Sequence, residues 1–182
     1  MGAKFSAMLR KTFSRFYKKK CSICLVGLEN SGKTTILSVL AHGAPASTVP
    51  TIGLNVRVVH KDRIEMKVWD IGGQKQYREG WARYAEGSDV CVFVVDTADL
   101  AKLPTVKEEL HALLSNDSIA TIPLLILANK IDLTPHVSER ELVDSLGLEE
   151  IVRTPWIIMP VSALNVVGID SVLEWLIGVA KD

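Results

Sequence analysis

Gly27-Leu28-Glu29-Asn30-Ser31-Gly32-Lys33-Thr34 fits the pattern G-x-x-x-x-G-K-[ST]. It lies between an apolar run, Cys21 to Val26, and a segment of helical periodicity, Thr35 to Ala41. A glycine-rich turn between a buried strand and a helix is the context in which this spacing binds phosphate. The glycines let the backbone curl until its N–H groups face inward, and Lys33 reaches a β- or γ-phosphate. The Thr34 hydroxyl can ligate Mg²⁺. Phosphate at a helix N-terminus also meets unpaired N–H groups and the positive end of the helix dipole, which brings Thr35 into the candidate set.

The rest of the chain reads outward from that loop. Val90 to Val95 and Ile122 to Ala128 are continuous apolar runs of strand length, as expected when helices cover both faces of a parallel sheet. Gly43 to Leu54 is rich in Gly, Ala, Pro, Ser and Thr and reads as a loop. Asn55 to His60 and Arg63 to Trp69 follow, joined at Lys61-Asp62. The second alternates, with Ile64, Met66 and Val68 against Arg63, Glu65 and Lys67, so a half-exposed antiparallel hairpin is predicted. Val106, Leu110, Leu113 and Leu114 mark one helix face. Ser138 with Glu141 is a capping box opening a helix to Leu146, Trp156 to Val161 is a last strand, and Leu173, Leu176, Ile177 and Ala180 mark a last helix. The predicted fold is α/β: a doubly wound, mostly parallel sheet with one antiparallel strand, whose ligands sit at the carboxyl ends of the strands.

An apolar fraction of 48% in 182 residues is high, yet no run approaches the roughly 20 residues of a membrane span. The three cysteines do not make a disulfide framework. Cys21-x-x-Cys24 matches a redox or zinc half-site by spacing alone, but residues three apart on a strand face opposite sides and no second pair follows. The net charge of zero conceals an asymmetry, because Lys4, Arg10, Lys11, Arg15, Lys18, Lys19 and Lys20 all precede the first acidic residue, Glu29. A basic head on an acidic body points to an anionic surface as partner.

Other motifs fall at strand ends. Asp70 closes a strand and opens Asp70-Ile71-Gly72-Gly73-Gln74. A carboxylate there is the expected outer partner of Mg²⁺, through water. Gly73, lacking a side chain, can bring its N–H to a γ-phosphate, and Gln74 is placed to orient an attacking water. Thr51 in the preceding loop either completes the Mg²⁺ shell or is an ordinary loop threonine. Asn129-Lys130-Ile131-Asp132 leaves a buried strand. A carboxylate accepts only, so Asp132 pairs with the adjacent N1–H and amine of guanine, whereas adenine would leave it unpaired. Ser162-Ala163-Leu164, after the last strand, fits a backbone contact to the base carbonyl.

Taken together, GLENSGKTTIL (Gly27 to Leu37), PTIG (Pro50 to Gly53), WDIGGQ (Trp69 to Gln74), Trp81 with Tyr84, NKID, SAL and the Met1-Gly2 start resemble an ADP-ribosylation-factor-like (Arf-like) small GTPase from end to end. The resemblance implies GTP and GDP binding with Mg²⁺ held by Thr34 and Thr51, and hydrolysis assisted by Gln74, slow without an activating protein. It further implies an exchange factor, effectors that read the GTP form, and work in vesicle trafficking at the Golgi or another endomembrane. A monomer without a nucleic-acid partner is expected. Two positions depart from the pattern. Glu29 stands where the family usually has Asp, which bears on hydrolysis and affinity and leaves a GTP-dependent scaffold with negligible hydrolysis as the alternative. Leu54 stands where Arf proteins usually have Phe in an effector-facing trio with Trp69 and Tyr84, so the likeness is to an Arf-like member.

Met1-Gly2-Ala3-Lys4-Phe5-Ser6 matches the N-myristoylation pattern at Gly2. Phe5, Met8, Leu9, Phe13, Phe16 and Tyr17 recur at helical spacing among basic residues, so residues 1–20 read as an amphipathic membrane-binding helix ahead of a GTP-binding domain, 21–182. Val179-Ala180-Lys181-Asp182 contains no cysteine for prenylation. The expected location is cytoplasmic with reversible membrane attachment.

Overall fold

The computed structural model describes residues 19–61 and 64–180. The amphipathic helix and Gly2 lie outside the described residues, as do the hairpin positions Asp62 and Arg63. A six-stranded sheet runs in the order β2-β3-β1-β4-β5-β6. Its strands are β1 (Lys19–Val26), β2 (Leu54–Lys61), β3 (Ile64–Ile71), β4 (Val90–Asp96), β5 (Leu124–Asn129) and β6 (Trp156–Val161). Only β2 with β3 is antiparallel; β3, β1, β4, β5 and β6 pair in parallel. β1 begins at Lys19, ahead of its apolar run, because Lys19 and Lys20 pair with Ile64 and Glu65 of β3.

The helices are α1 (Lys33–His42), α2 (Lys75–Arg78), α3 (Trp81–Ala85), α4 (Leu103–Leu114), α5 (Glu139–Leu146) and α6 (Ile169–Val179). Strand periodicity divides the core into two layers. Cys21, Ile23 and Leu25 of β1 with Val90, Val92 and Val94 of β4 pack against Ile36, Leu37 and Leu40 of α1 and Val172, Leu173 and Leu176 of α6. Cys24 and Val26 with Cys91, Phe93 and Val95 pack on the other face, against Trp81 of α3, Val106 and Leu110 of α4, and Leu142 and Leu146 of α5. Cys21 and Cys24 therefore occupy opposite layers, both buried. A hydrogen bond with Cys91, together with burial, holds the Cys24 thiol well above its usual pKa, so it is an inert core residue.

The capping box forms as predicted, with the Ser138 hydroxyl accepting from the Glu141 N–H and the Glu141 carboxylate accepting from the Ser138 N–H. In the hairpin Val59, Ile64, Met66 and Val68 are buried, while Val56 and Val58 are exposed. Val56 lies opposite Trp69 and Val58 opposite Lys67, and directly opposed residues share a face. Trp69 stacks on Tyr84 at a centroid separation of 6.4 Å, and Lys67 Nζ sits 4.4 Å from the Trp69 ring centroid. Because β1, β3, β4, β5 and β6 are parallel, their carboxyl ends share one edge of the sheet. β1 sits between β3 and β4, so the chain leaves it in opposite directions, which makes the crevice above β1 the place for a ligand.

Candidate functional site

The loop leaving β1 is pinned by its glycines. Gly27 has φ +140°, and a Cβ there would lie 2.3 Å from the Val94 carbonyl oxygen. Gly32 has φ +96° and a Cβ there would meet the Asn129 amide at 2.2 Å. Neither position admits a side chain. Leu28, Ser31 and Lys33 are buried, Glu29 is half-buried and Asn30, at φ 64°, is exposed. The Lys33 ammonium folds back to donate to the carbonyls of Gly27 (2.9 Å) and Leu28 (2.8 Å). Burial lowers its pKa to about 8, against the attraction of Asp70 and Glu29.

At the start of α1, Thr34 Oγ1 donates to Asp70 Oδ2 at 2.9 Å and lies 3.0 Å from Thr51 Oγ1, which is itself 3.4 Å from the same carboxylate oxygen. Three segments distant in sequence thus converge on one point. Asp70 is fully buried, and its Oδ1 has no hydrogen-bond partner among the described residues. Burial pushes its pKa up, opposed by the Thr34 hydroxyl and the Lys33 charge. Two hydroxyls and a carboxylate with an unused oxygen form a hard, oxygen-only donor set, which suits Mg²⁺. The buried Ser31 hydroxyl also lacks a partner among the described residues, as a group facing a phosphate would.

The segment after Asp70 lies against both neighbours. The Gly72 N–H donates to the Gly53 carbonyl at 2.8 Å, and the Trp81 indole N–H donates to the Gly72 carbonyl at 3.3 Å. Gly73 stacks directly on the phosphate loop: a Cβ would stand 2.3 Å from the Glu29 nitrogen and the Leu28 carbonyl carbon. Gln74 is exposed and accepts a long bond of 3.4 Å from Gln76. Arg78 was not singled out from sequence, yet its Nε donates to the Gly73 carbonyl (3.0 Å), Nη2 to Glu29 (3.0 Å) and Nη1 to Glu109 of α4 (2.9 Å). Only its position four residues after Gln74 could have drawn notice.

A cavity of about 330 Å³ joins these parts, lined by Glu29, Asn30, Gly32, Lys33, Thr34, Thr35, Thr48 to Thr51, Gly73, Gln74 and Lys130. Asp132 and residues 162–164 line no part of it. They are organised beside it by Asn129, whose side-chain amide donates to the Ser31 carbonyl (2.8 Å) and accepts from the Ala163 N–H (3.0 Å). The Ser162 hydroxyl donates to the Asp132 carboxylate and accepts from the Asn165 N–H. Ala163 is buried, whereas Leu164 is 63% exposed. Lys130, at φ 72°, bonds Asp96 at 2.6 Å. Asp96 was also missed, although it ends β4 as Asp70 nearly ends β3, and an acidic residue closing an apolar strand is a readable signal.

Residues 5–180 match the model of the ADP-ribosylation factor family. The chain belongs to that family. It is similar to ADP-ribosylation factor-like protein 8c of Arabidopsis thaliana, 39% identical over 174 residues and 95% of each chain, and to protein 8b of the same plant, 39% identical over 178 residues and 97% of each. Among solved structures it resembles the Arl6 BBS3 small GTPase from Trypanosoma brucei, which carries the bound nucleotide analogue GppNp. The TM-score is 0.80 at 34% identity, covering 86% of this chain and 95% of that one. As an Arf-family small GTPase the chain binds GTP and GDP with Mg²⁺ and hydrolyses GTP.

Proposed function

We propose that the chain is an Arf-like GTP/GDP switch whose GTP form attaches to an anionic endomembrane and recruits effectors there for vesicle trafficking. The observation that carries this reading is the convergence of Thr34, Thr51 and Asp70. Thr51 precedes the β2–β3 hairpin and Asp70 sits at its far end, so one point holds both ends of a single movable element. In this reading the γ-phosphate with its Mg²⁺ is what the two ends sense, and its loss releases them together.

Roles follow from position. Lys33 leaves the Gly27 and Leu28 carbonyls for the β- and γ-phosphates, Thr34 and Thr51 hold Mg²⁺, and Asp70 supports it through water. When bound, Mg²⁺ neutralises charge on the phosphate oxygens. Asp132, oriented by the Ser162 hydroxyl, pairs with guanine, and the 162–164 backbone contacts the base carbonyl. Asn129 braces the two loops between which the nucleotide lies. Gly73 offers its N–H to the γ-phosphate and Gln74 swings from the surface to orient water, slowly until an activating protein fixes it. The scaffold reading rested on the longer Glu29 side chain in the phosphate loop; its carboxylate is paired with Arg78. Leu54, Val56, Trp69 and Tyr84 form the effector face. An exchange factor opens the site, and residues 1–20 with acylated Gly2 supply the membrane anchor, two weak signals that hold only together.

Co-sedimentation of the myristoylated protein with phosphatidylserine liposomes tests the switch. The GTP-loaded form is expected to bind and the GDP-loaded form to remain in solution; equal binding would sink the reading. Two variants test the site. Gln74→Leu should slow single-turnover hydrolysis by roughly a hundredfold or more while GTP still binds. Asp132→Asn should shift preference from guanine toward xanthine nucleotides, and retained GTP selectivity would refute the base assignment.

A further inference from the structure

Glu29 is the residue of the phosphate loop that departs from the family pattern, and one of its carboxylate oxygens has a defined partner. Its Oε2 lies 3.0 Å from Arg78 Nη2. The Arg78 side chain is only 10% exposed, and its guanidinium uses all three nitrogens on three different segments: the loop at Glu29, the Gly73 carbonyl and Glu109 of α4. A planar guanidinium held at three points has little freedom left. Gly73 lies close against the loop, since a Cβ there would fall within 2.6 Å of backbone atoms of residues 27–29. Gln74 follows it directly. An aspartate at position 29 is one methylene shorter, which on the same backbone would set its carboxylate back from Arg78 by about 1.5 Å.

We infer that Glu29 and Arg78 are positioning residues for hydrolysis: their ion pair, tethered to α4 through Glu109, clamps Gly73–Gln74 onto the phosphate loop. The inference rests on the role given to Gln74 above. It gives substitution of Glu29 a direction. A lone carboxylate beside the γ-phosphate would slow the reaction by repulsion; paired with Arg78, it orders the segment that carries the water-orienting side chain. The pair is also partly open to solvent, with 42% of the Glu29 side chain exposed, so salt weakens it.

Hydrogen exchange of the GDP-loaded protein reads the clamp without any reaction. The peptide spanning Gly72 to Glu79 should exchange faster in Glu29→Gln than in wild type at low ionic strength, and rising salt should bring wild type toward the variant. Peptides of α6 should not change. Single-turnover hydrolysis of preloaded GTP should fall roughly tenfold in Glu29→Asp and in Arg78→Lys, and the double variant should be no slower than the worse single one. Wild-type hydrolysis should decline with salt while that of the variants stays flat.

Faster hydrolysis in Glu29→Gln or Glu29→Asp would overturn the inference, as would independent, additive losses or unchanged exchange. Should Arg78→Lys fail to fold, Glu29→Gln at its half-exposed site carries the test alone. Failure of the Gln74 assignment is distinguishable: Gln74→Leu would then hydrolyse normally, while the exchange experiment would still report on the clamp.

Discussion

At the residue scale, Asn129 shows how much of a nucleotide motif serves the protein itself. Its side chain is buried and both ends are engaged, the amide nitrogen with Ser31 of the phosphate loop and the oxygen with Ala163 after β6. Asn129→Ala would leave a buried carbonyl and a buried N–H unpaired at once. That should cost about 2–4 kcal/mol of stability and free the two loops from each other. Urea unfolding of the GDP-loaded protein checks the first effect, and release of a fluorescent GDP analogue, expected to quicken at least tenfold, checks the second. Unchanged release would show that the brace has no part in holding nucleotide. The sequence named Asn129 through its motif but not its partners, because contacts spanning 98 and 34 residues leave no local trace. Arg78 was invisible for the same reason. Lys33, Thr34 and Asp70 stood out because the motifs that hold them set residue types at fixed local spacing, and the fold brings Thr34 to Asp70.

At the element scale, legibility followed apolar periodicity. The strands at Val90, Leu124 and Trp156 and the helices carrying Leu110, Leu142 and Leu176 each bury a regular face, and each was read within a few residues. The short helices α2 and α3 were not read at all. α2 buries none of its residues, and α3 buries only Trp81 and Ala85, so neither has a period to detect. Tertiary contacts hold them instead. Trp81 is 1% exposed, meets Phe93 edge-on at a centroid distance of 5.9 Å, and gives its indole N–H to the Gly72 carbonyl. Trp81→Phe keeps most of the aromatic packing but strands that carbonyl. The expected loss is about 1–3 kcal/mol, read as a lower urea midpoint with an unchanged m-value. A substitution without effect would mean that α3 is anchored by packing alone.

For the whole molecule, the parallel sheet sets a single rigid edge from which five strands deliver their loops, and the site is held together by what bridges those loops. Thr34, Thr51 and Asp70 are one such bridge, and in the proposed switch its strength depends on a ligand. Without a cation, the buried Asp70 carboxylate has two hydroxyls and the distant charge of Lys33 to offset its burial, and one of its oxygens has no partner. Bound there as proposed, Mg²⁺ with nucleotide would supply the missing charge to the folded chain alone, and its binding energy would add to stability by mass action. At a hundredfold excess over Kd that is about 2.7 kcal/mol. In a domain of 182 residues this corresponds to a thermal midpoint higher by about 5–10 °C. Stripping Mg²⁺ from the GDP-loaded protein with EDTA should therefore lower the midpoint by that order and speed nucleotide release. Thr34→Ala should show a smaller difference between Mg²⁺ and EDTA, because one hydroxyl of the set is gone while Lys33 and the loop N–H groups remain. Equal midpoints in Mg²⁺ and EDTA for the unaltered chain would mean that the three oxygens fasten the segments by hydrogen bonds alone, and the cation would have to be placed elsewhere.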